Sequence, residues 1–279
     1  MAERHVQKNL AETKDLQKLR AVPVRRLRKY VGGLTWMMVI IPWFRAWLAP
    51  LWGAIASAAH WRGPPEMATV SQRQIAHSLV WLAAFLAGQK GSILRTIPVH
   101  PARHEGTGQL VCDASPWGLG AVFILDGVPI AWLADALTEL DHLILGTEAG
   151  SPNGQATFEA LAVLVAARTW LNLWRDIPLT IIMQSDSVAA LGAAAKAGSG
   201  VGTMNTVIRE MSLDLAEAAY EVHFYGHVPG RLNVWADALS RLAEPSSGKT
   251  IPKELYNVDR TDVAIRDQGW WRTAGPPSS

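Results

Sequence analysis

Cysteine is nearly absent: Cys112 stands alone among 279 residues, which rules out an internal disulfide and any zinc site built on cysteine pairs. A chain so poor in thiols suits a reducing compartment, and the expected location is intracellular, in cytoplasm or nucleus. The opening Met1-Ala2-Glu3-Arg4-His5 is charged and runs into a polar stretch, unlike the basic-then-apolar start of a secretory signal. Long apolar runs are missing as well. Val31 to Trp61 is rich in Trp, Leu and Ala, but Arg45 divides it into runs of 14 and 16 residues and Pro42 and Pro50 interrupt it. Spanning a bilayer takes roughly 18 to 20 residues, so no membrane span is expected. No Gly-x-Ser-x-Gly elbow occurs, which leaves a serine hydrolase unsupported. His223 and His227 are four apart but fall on a strand and the loop after it, so they do not make a helix-borne zinc pair. No segment repeats at a fixed period.

What is present is a large apolar share, 49%, enough for a packed core. The net charge of +2 is unevenly spread, with balances of +8 over residues 1–62, +2 over 63–107, −8 over 108–243 and 0 thereafter. Clustered carboxylates repel a phosphate backbone unless cations intervene. An acidic middle behind a basic front therefore fits a metal-dependent site beside a polyanion grip, although solvated helix faces give the same balance.

The patterning suggests two regions. Residues 1–87 read as a small helical domain: a polar surface helix from Val6 broken at Pro23, short apolar pieces from Tyr30 to Ala59 joined at Pro42 and Pro50, and an amphipathic helix from Gln72 to Ala87. Residues 88–108, with Gly, Pro and no period, read as a linker. From Gln109 alternation sets in, and Ala121–Leu125, Asp126-Gly127 and Val128–Leu133 spell a hairpin, so Leu110–Asp113 and the hairpin form a meander. A polar loop from Asp135 to Gly154, a helix from Gln155 to Trp174 and a strand from Leu179 follow. Two helices, near Ser187–Ala197 and Thr203–Ala219, a strand near Glu221–Tyr225 and a helix from Asn233 complete residues 109–243. Residues 244–279 lack a period and read as an extended tail.

A strand, a helix and a further strand make a right-handed parallel crossover. The strand from Leu179 should therefore lie parallel to the first, with the hairpin on that strand's other side. Open α/β sheets place their sites where strand order reverses, at the carboxyl ends of the strands. Asp113 and Asp186 sit at those two ends, and Glu159 joins them if the loop before its helix carries the chain back. Each acid also has a plainer explanation: Asp186 as a helix N-cap, Glu159 and Asp237 as favourable charges near helix starts, Asp113 as a turn former.

Four segments taken in order resemble the catalytic blocks of ribonuclease H: Val111-Cys112-Asp113-Ala114-Ser115, Phe158-Glu159-Ala160-Leu161, Gln184-Ser185-Asp186-Ser187, and Gly226-His227-Val228-Pro229-Gly230-Arg231-Leu232-Asn233 running into Val234–Arg241. The last, with Asp237 ten residues after His227, is the most specific and is similar to the Gypsy-like retrotransposon version. The resemblance covers 109–243, and it implies an α/β fold with a mixed five-stranded sheet of order 3-2-1-4-5 flanked by helices. Residues 1–87 resemble, more weakly, the thumb and connection of such reverse transcriptases, through Leu27–Trp36, Ile41-Pro42 and Leu48–Leu51. No Tyr-x-Asp-Asp polymerase pair is present, so polymerisation by this chain is not expected.

The implied activity is cleavage of the RNA strand of an RNA–DNA hybrid, as the carboxy-terminal part of a reverse transcriptase polyprotein. Asp113, Glu159, Asp186 and Asp237 would hold two divalent ions, magnesium or manganese, and His227 would move protons. Ser115, Gln155, Ser187 and Asn233 are candidates for sensing the 2′-hydroxyl. Lys196–Gly202 is too sparse in charge to supply the basic protrusion of cellular relatives, so Arg20, Arg25, Arg26, Arg28 and Lys29 are the candidate grip. Two other readings remain: a catalytically idle nucleic-acid-binding remnant, and a transposase or integrase on the same fold.

Overall fold

A computed structural model describes residues 3–93, 106–175, 179–217 and 222–277. The chain divides into two compact units, Met1–Ile97 with Lys196–Ala218 and Arg272–Ser279, and Pro98–Ala195 with Ala219–Trp271. Most of the expected linker, residues 94–105, lies outside the described residues.

The first unit begins with α1 (Glu3–Lys18), whose buried face is Val6, Asn9, Thr13 and Leu16. Its two polar members are satisfied: Thr13 Oγ1 shares a 2.6 Å hydrogen bond with the Tyr30 hydroxyl, and Asn9 Nδ2 donates to the His5 carbonyl at 2.9 Å. The helix ends five residues before Pro23, which instead closes a short strand, β1 (Ala21–Pro23), and directly precedes α2 (Val24–Thr35). Pro42 opens a 3-10 turn ahead of α3 (Arg45–Ala58), as its fixed φ allows. Pro50, expected to separate two pieces, lies inside α3, which continues through it. Strand β2 (Thr69–Ser71) pairs antiparallel with β1 and leads into α4 (Gln72–Leu86). Phe44, Trp47, Trp81 and Phe85, all at most 1% exposed, form an aromatic centre, with Trp47 and Phe85 edge to face at 4.7 Å. This packing accounts for Phe44 and Trp47 of the apolar stretch from Val31 to Trp61, whereas Trp36, Val39, Trp52 and Trp61 stay exposed, and among the described residues no helix is long and apolar enough to cross a membrane.

The second unit is a mixed α/β layer structure built on a six-stranded sheet. Its strands are β3 (Gly106–Ala114), β4 (Gly118–Leu125), β5 (Val128–Ala136), β6 (Leu179–Ser185), β7 (Phe224–His227) and β8 (Asp259–Arg260), in the order β7-β6-β3-β4-β5-β8. The β4–β5 turn is Asp126-Gly127, both at positive φ (49° and 84°), the left-handed backbone that a two-residue hairpin turn needs. β6 and β7 run parallel to β3 and to each other, and β8 runs parallel to β5. The remaining helices of the chain are α5 (Glu139–Leu145), α6 (Gln155–Thr169), α7 (Leu171–Arg175), α8 (Val188–Lys196) and α10 (Val234–Ser240), with α9 (Gly202–Ala216) falling in the first unit. α6 is buried almost all round from Thr157 to Ala167 and packs on β3 and β4.

Two sequence-based boundaries change. α9, expected inside the acidic domain, belongs to the first unit: Asn205 Nδ2 donates to the Ala46 carbonyl at 2.9 Å, and its buried Met204, Val207, Ile208 and Met211 face that unit's core. Residues 244–277, within the segment expected as an extended tail, carry little regular structure, yet Leu255, Arg266, Trp271 and Thr273 are buried. In the second unit, β8 covers the edge strand β5, and the Trp132 indole donates to the Val258 carbonyl at 3.0 Å. Arg266, 2% exposed, donates to Asp141 at 2.9 Å and to the Ala136 carbonyl at 2.6 Å, and also pairs with Asp135. The Trp271 indole donates to the other Asp141 oxygen at 3.1 Å. These long-range partners leave no periodic signal, so composition alone suggested a free tail.

Removing one side of a buried ion pair strands the other. Arg266→Ala is therefore expected to cost about 3–5 kcal/mol, lowering the melting temperature by roughly 10 °C. A thermal melt with a drop of only a degree or two would show the tail to be dispensable.

Candidate metal centre

Asp113 lies one residue from the end of β3 and pairs with Gly120 of β4. Above that pair α10 comes so close that a Cβ on Gly120 would sit 2.4 Å from the Ala236 carbonyl oxygen and the Ser240 nitrogen. One on Gly118 would sit 2.9 Å from the Ser240 carbonyl. Only glycine fits either position, and the close seat lets Ser240 Oγ donate to Asp113 Oδ2 at 2.6 Å. Asn233, 2% exposed, donates from Nδ2 to the Cys112 carbonyl at 3.1 Å and to Asp113 Oδ1 at 3.4 Å.

Glu159 reaches the same place because the loop after β5 returns the chain to the carboxyl end of β3. Leu137 N–H donates to the Trp117 carbonyl at 3.0 Å and Gly150 N–H to the Pro116 carbonyl at 3.1 Å. α5, inside this loop, starts with a capping box in which the Thr138 hydroxyl and the Asp141 carboxylate each accept from the other's backbone N–H. Gln155 Nε2 then donates to the Ala114 carbonyl at 2.6 Å and to Glu159 Oε1 at 2.8 Å. Ser185 Oγ donates to Glu159 Oε2 at 3.2 Å. Asp186 follows β6 directly and is partly exposed; among the described residues no hydrogen bond or ion pair engages it. It is not the cap of α8, because Ser187 Oγ accepts from Ala190 N–H at 3.3 Å.

Asp113, Glu159 and Asp186 thus each offer a carboxylate oxygen within 4.8 Å of the others. Burial, then the charges of Asp186 and Asp237, push the Asp113 carboxyl above the usual carboxylate range. Burial, then the charge of Asp113, raise Glu159 likewise. Hydrogen bonds from Ser240, Gln155 and Ser185 favour ionisation but do not offset the burial. Burial also pushes the Cys112 thiol up, leaving it inert.

This group of three acids could hold a metal ion. Three observations test the fit: all donors are hard oxygens, and among the described residues neither Asp186 nor the buried Asn233 Oδ1 beside Asp113 has a hydrogen-bond partner. A cation in the group would offset both the burial and the repulsion that raise the two acids.

Asp237 stands outside the group of three. It lies in the first turn of α10, where Arg241 donates to one oxygen at 2.7 Å and Lys249 to the other at 3.0 Å. Burial opposes its ionisation, but these two cations outweigh it and hold Asp237 below the usual range. His227 ends β7, exposed, in register with Ser185. The loop after it borders the acids, since a Cβ on Gly230 would lie 3.0 Å from Asp186 Oδ2.

Ser115, Gln155, Ser187 and Asn233, expected to read substrate, have partners within the chain. Ser115 is fully buried: its hydroxyl accepts from Trp117 and Gly118 N–H and donates to the Ser240 carbonyl at 2.7 Å, so it staples a turn. Gln155 and Asn233 orient carboxylates, and Ser187 caps a helix. Arg25, Arg26, Arg28 and Lys29 lie on α2 of the first unit, as Arg20 lies just before β1. Arg26 is engaged by Glu12 at 2.7 Å. Sequence reasoning passed over Ser240, Ser185 and Lys249, since a serine or lysine carries no motif signal until a fold sets it against a carboxylate. No family model and no curated protein matches the chain.

The raised acids give a signed pH dependence. Below about pH 4 the folded and unfolded chains are both protonated at these positions and nothing is lost. As the pH rises past that, the unfolded chain ionises first, so stability falls through the neutral range. In chelator, the melting temperature should therefore drop between about pH 5.5 and pH 8, and magnesium or manganese should restore roughly 3–8 °C at the higher pH. Glu159→Gln should raise the chelated melting point at pH 8 and shrink the response to metal. A metal response unchanged in that variant would place the cation elsewhere.

Proposed function

We propose that the second unit is a ribonuclease H-type endonuclease that hydrolyses the RNA strand of RNA–DNA hybrids, and that the chain is the carboxy-terminal part of a Gypsy-like retroelement reverse transcriptase. The observation that carries the reading is the meeting of Asp113, Glu159 and Asp186, which are 46 and 27 positions apart in sequence, at the carboxyl ends of β3 and β6. The strand order supports it: the meander β3–β5 lies on one side, β6 and β7 run parallel on the other, and the acids stand where the order reverses. The loop from Gly226 to Asn233 that resembles the family's last block borders the same acids.

In this reading Asp113, Glu159 and Asp186 hold magnesium, or manganese in its place. Bound there, divalent ions supply Lewis-acid activation of water and neutralise charge at the scissile phosphate. Ser240 and Asn233 fix the two oxygens of Asp113, and Gln155 and Ser185 fix those of Glu159, so both carboxylates are oriented before substrate arrives. Asp186, partly exposed, presents an uncommitted oxygen toward solvent. Exposed His227 is the candidate for carrying a proton at the leaving group. Asp237 joins as a fourth ligand only by giving up Arg241 or Lys249.

The test is a labelled RNA–DNA hybrid incubated with the purified chain and magnesium or manganese. Wild type should cleave the RNA strand, chelator should stop it, and Asp186→Asn should lose at least about 1,000-fold. His227→Ala should lose about 100-fold in kcat with an altered pH profile. Absence of wild-type cleavage with either metal would favour an idle nucleic-acid-binding remnant, and DNA strand transfer would favour an integrase.

A further inference from the structure

Within the first unit, α2 and the segment after α3 enclose a cleft of about 510 Å³. It is lined by the small apolar residues Val24, Ala58, Ala59 and Ala68 and by Arg25, Arg28 and Trp61. The two arginines are three apart on α2, so they project from one side of the helix. Both are exposed, and among the described residues neither has an acidic partner, in contrast with Arg26 between them in sequence, which Glu12 holds. Glu66 is the one acid lining the cleft. Trp61 is 55% exposed, an unusual position for so large an apolar ring, and it lies against the turn that follows it. Its indole N–H donates to the Pro64 carbonyl at 3.3 Å, and Gly63 lies so close that a Cβ there would come within 2.7 Å of three ring atoms.

A half-exposed indole beside two guanidinium groups that no ion pair engages among the described residues matches a ligand with a flat apolar face and negative charges a few ångströms from it. We propose that this cleft binds an unpaired nucleic-acid strand, with a base stacked on Trp61 and neighbouring phosphates held by Arg25 and Arg28. A duplex fits less well, because its base faces are already stacked on one another and it would use the arginines alone. The site stands by itself: it involves only residues of the first unit and does not rest on the nuclease reading.

Binding is measured by fluorescence anisotropy, using the full chain in chelator so that metal-dependent cleavage plays no part, and a labelled DNA strand of about twelve nucleotides. The expected result for Trp61→Ala is a loss of about 10-fold or more, with Trp61→Phe close to wild type because it keeps a stacking face. Arg25→Ala with Arg28→Ala should weaken binding and lower the dependence on log salt concentration by about 1.4, two phosphates at roughly 0.7 each for a single strand. Arg4→Ala, an exposed charge on α1, should change little. Undiminished binding by Trp61→Ala would overturn the proposal, as would a duplex of equal length binding as tightly. Displacement of the strand by micromolar adenosine monophosphate would overturn it too, by making the ligand a free nucleotide. The nuclease reading stands or falls on cleavage of the hybrid, so the two failures are distinguishable.

Discussion

Two like charges buried together are the constraint around which the second unit is organised. Asp113 and Glu159 are 5% and 4% exposed, and burial, with repulsion from neighbouring carboxylates, makes both reluctant to ionise. A fold free to relax would swing one of them into water. This one is not free, because each carboxylate is anchored by donors that are themselves fixed in secondary structure. Ser240 belongs to α10, Gln155 to the first turn of α6 and Ser185 to the end of β6. The donors that hold the two carboxylates thus come from three elements, and either a proton or a cation offsets the unfavourable charge without moving any of them.

Backbone proximity makes this anchoring possible. Gly118 and Gly120 remove the side chains that would hold α10 away from β4, and Gly150 lets the returning loop lie against Trp117, whose ring a Cβ would meet at 2.4 Å. Glycine at these positions loses the packing a side chain would give, and the loss is offset by hydrogen bonds that only close approach permits. Lys249 and Arg241 act in the opposite sense. They compensate Asp237 from within the chain, so the fourth acid of the motif is already neutralised while the other three are not.

Much of the fold could be read from the chain. Alternation and Asp126-Gly127 announced the β4–β5 hairpin, and the strand–helix–strand order foretold that β6 runs parallel to β3. The convergence of Asp113, Glu159 and Asp186 followed from that topology together with the resemblance of the motifs. Less legible were features without a period. Pro50 inside α3 looked like a boundary, because the rule against proline in helices is local, whereas the donor to the Ala46 carbonyl that Pro50 leaves without a helical partner is Asn205, 159 positions away. Residues 244–279 looked loose because the partners of Arg266 and Trp271 lie about 130 positions away.

The sequence by itself determined which acids are available, which strands alternate and where the turns fall, since these depend on neighbours two to four residues apart. Only the tertiary structure decided which polar groups serve the site and which serve the scaffold. Ser115 and Ser240 look equally eligible in the chain; one staples a turn and the other grips Asp113. The physical reason is that a hydroxyl's role depends on what lies within about 3 Å of it, and those partners come from elements far apart in the sequence.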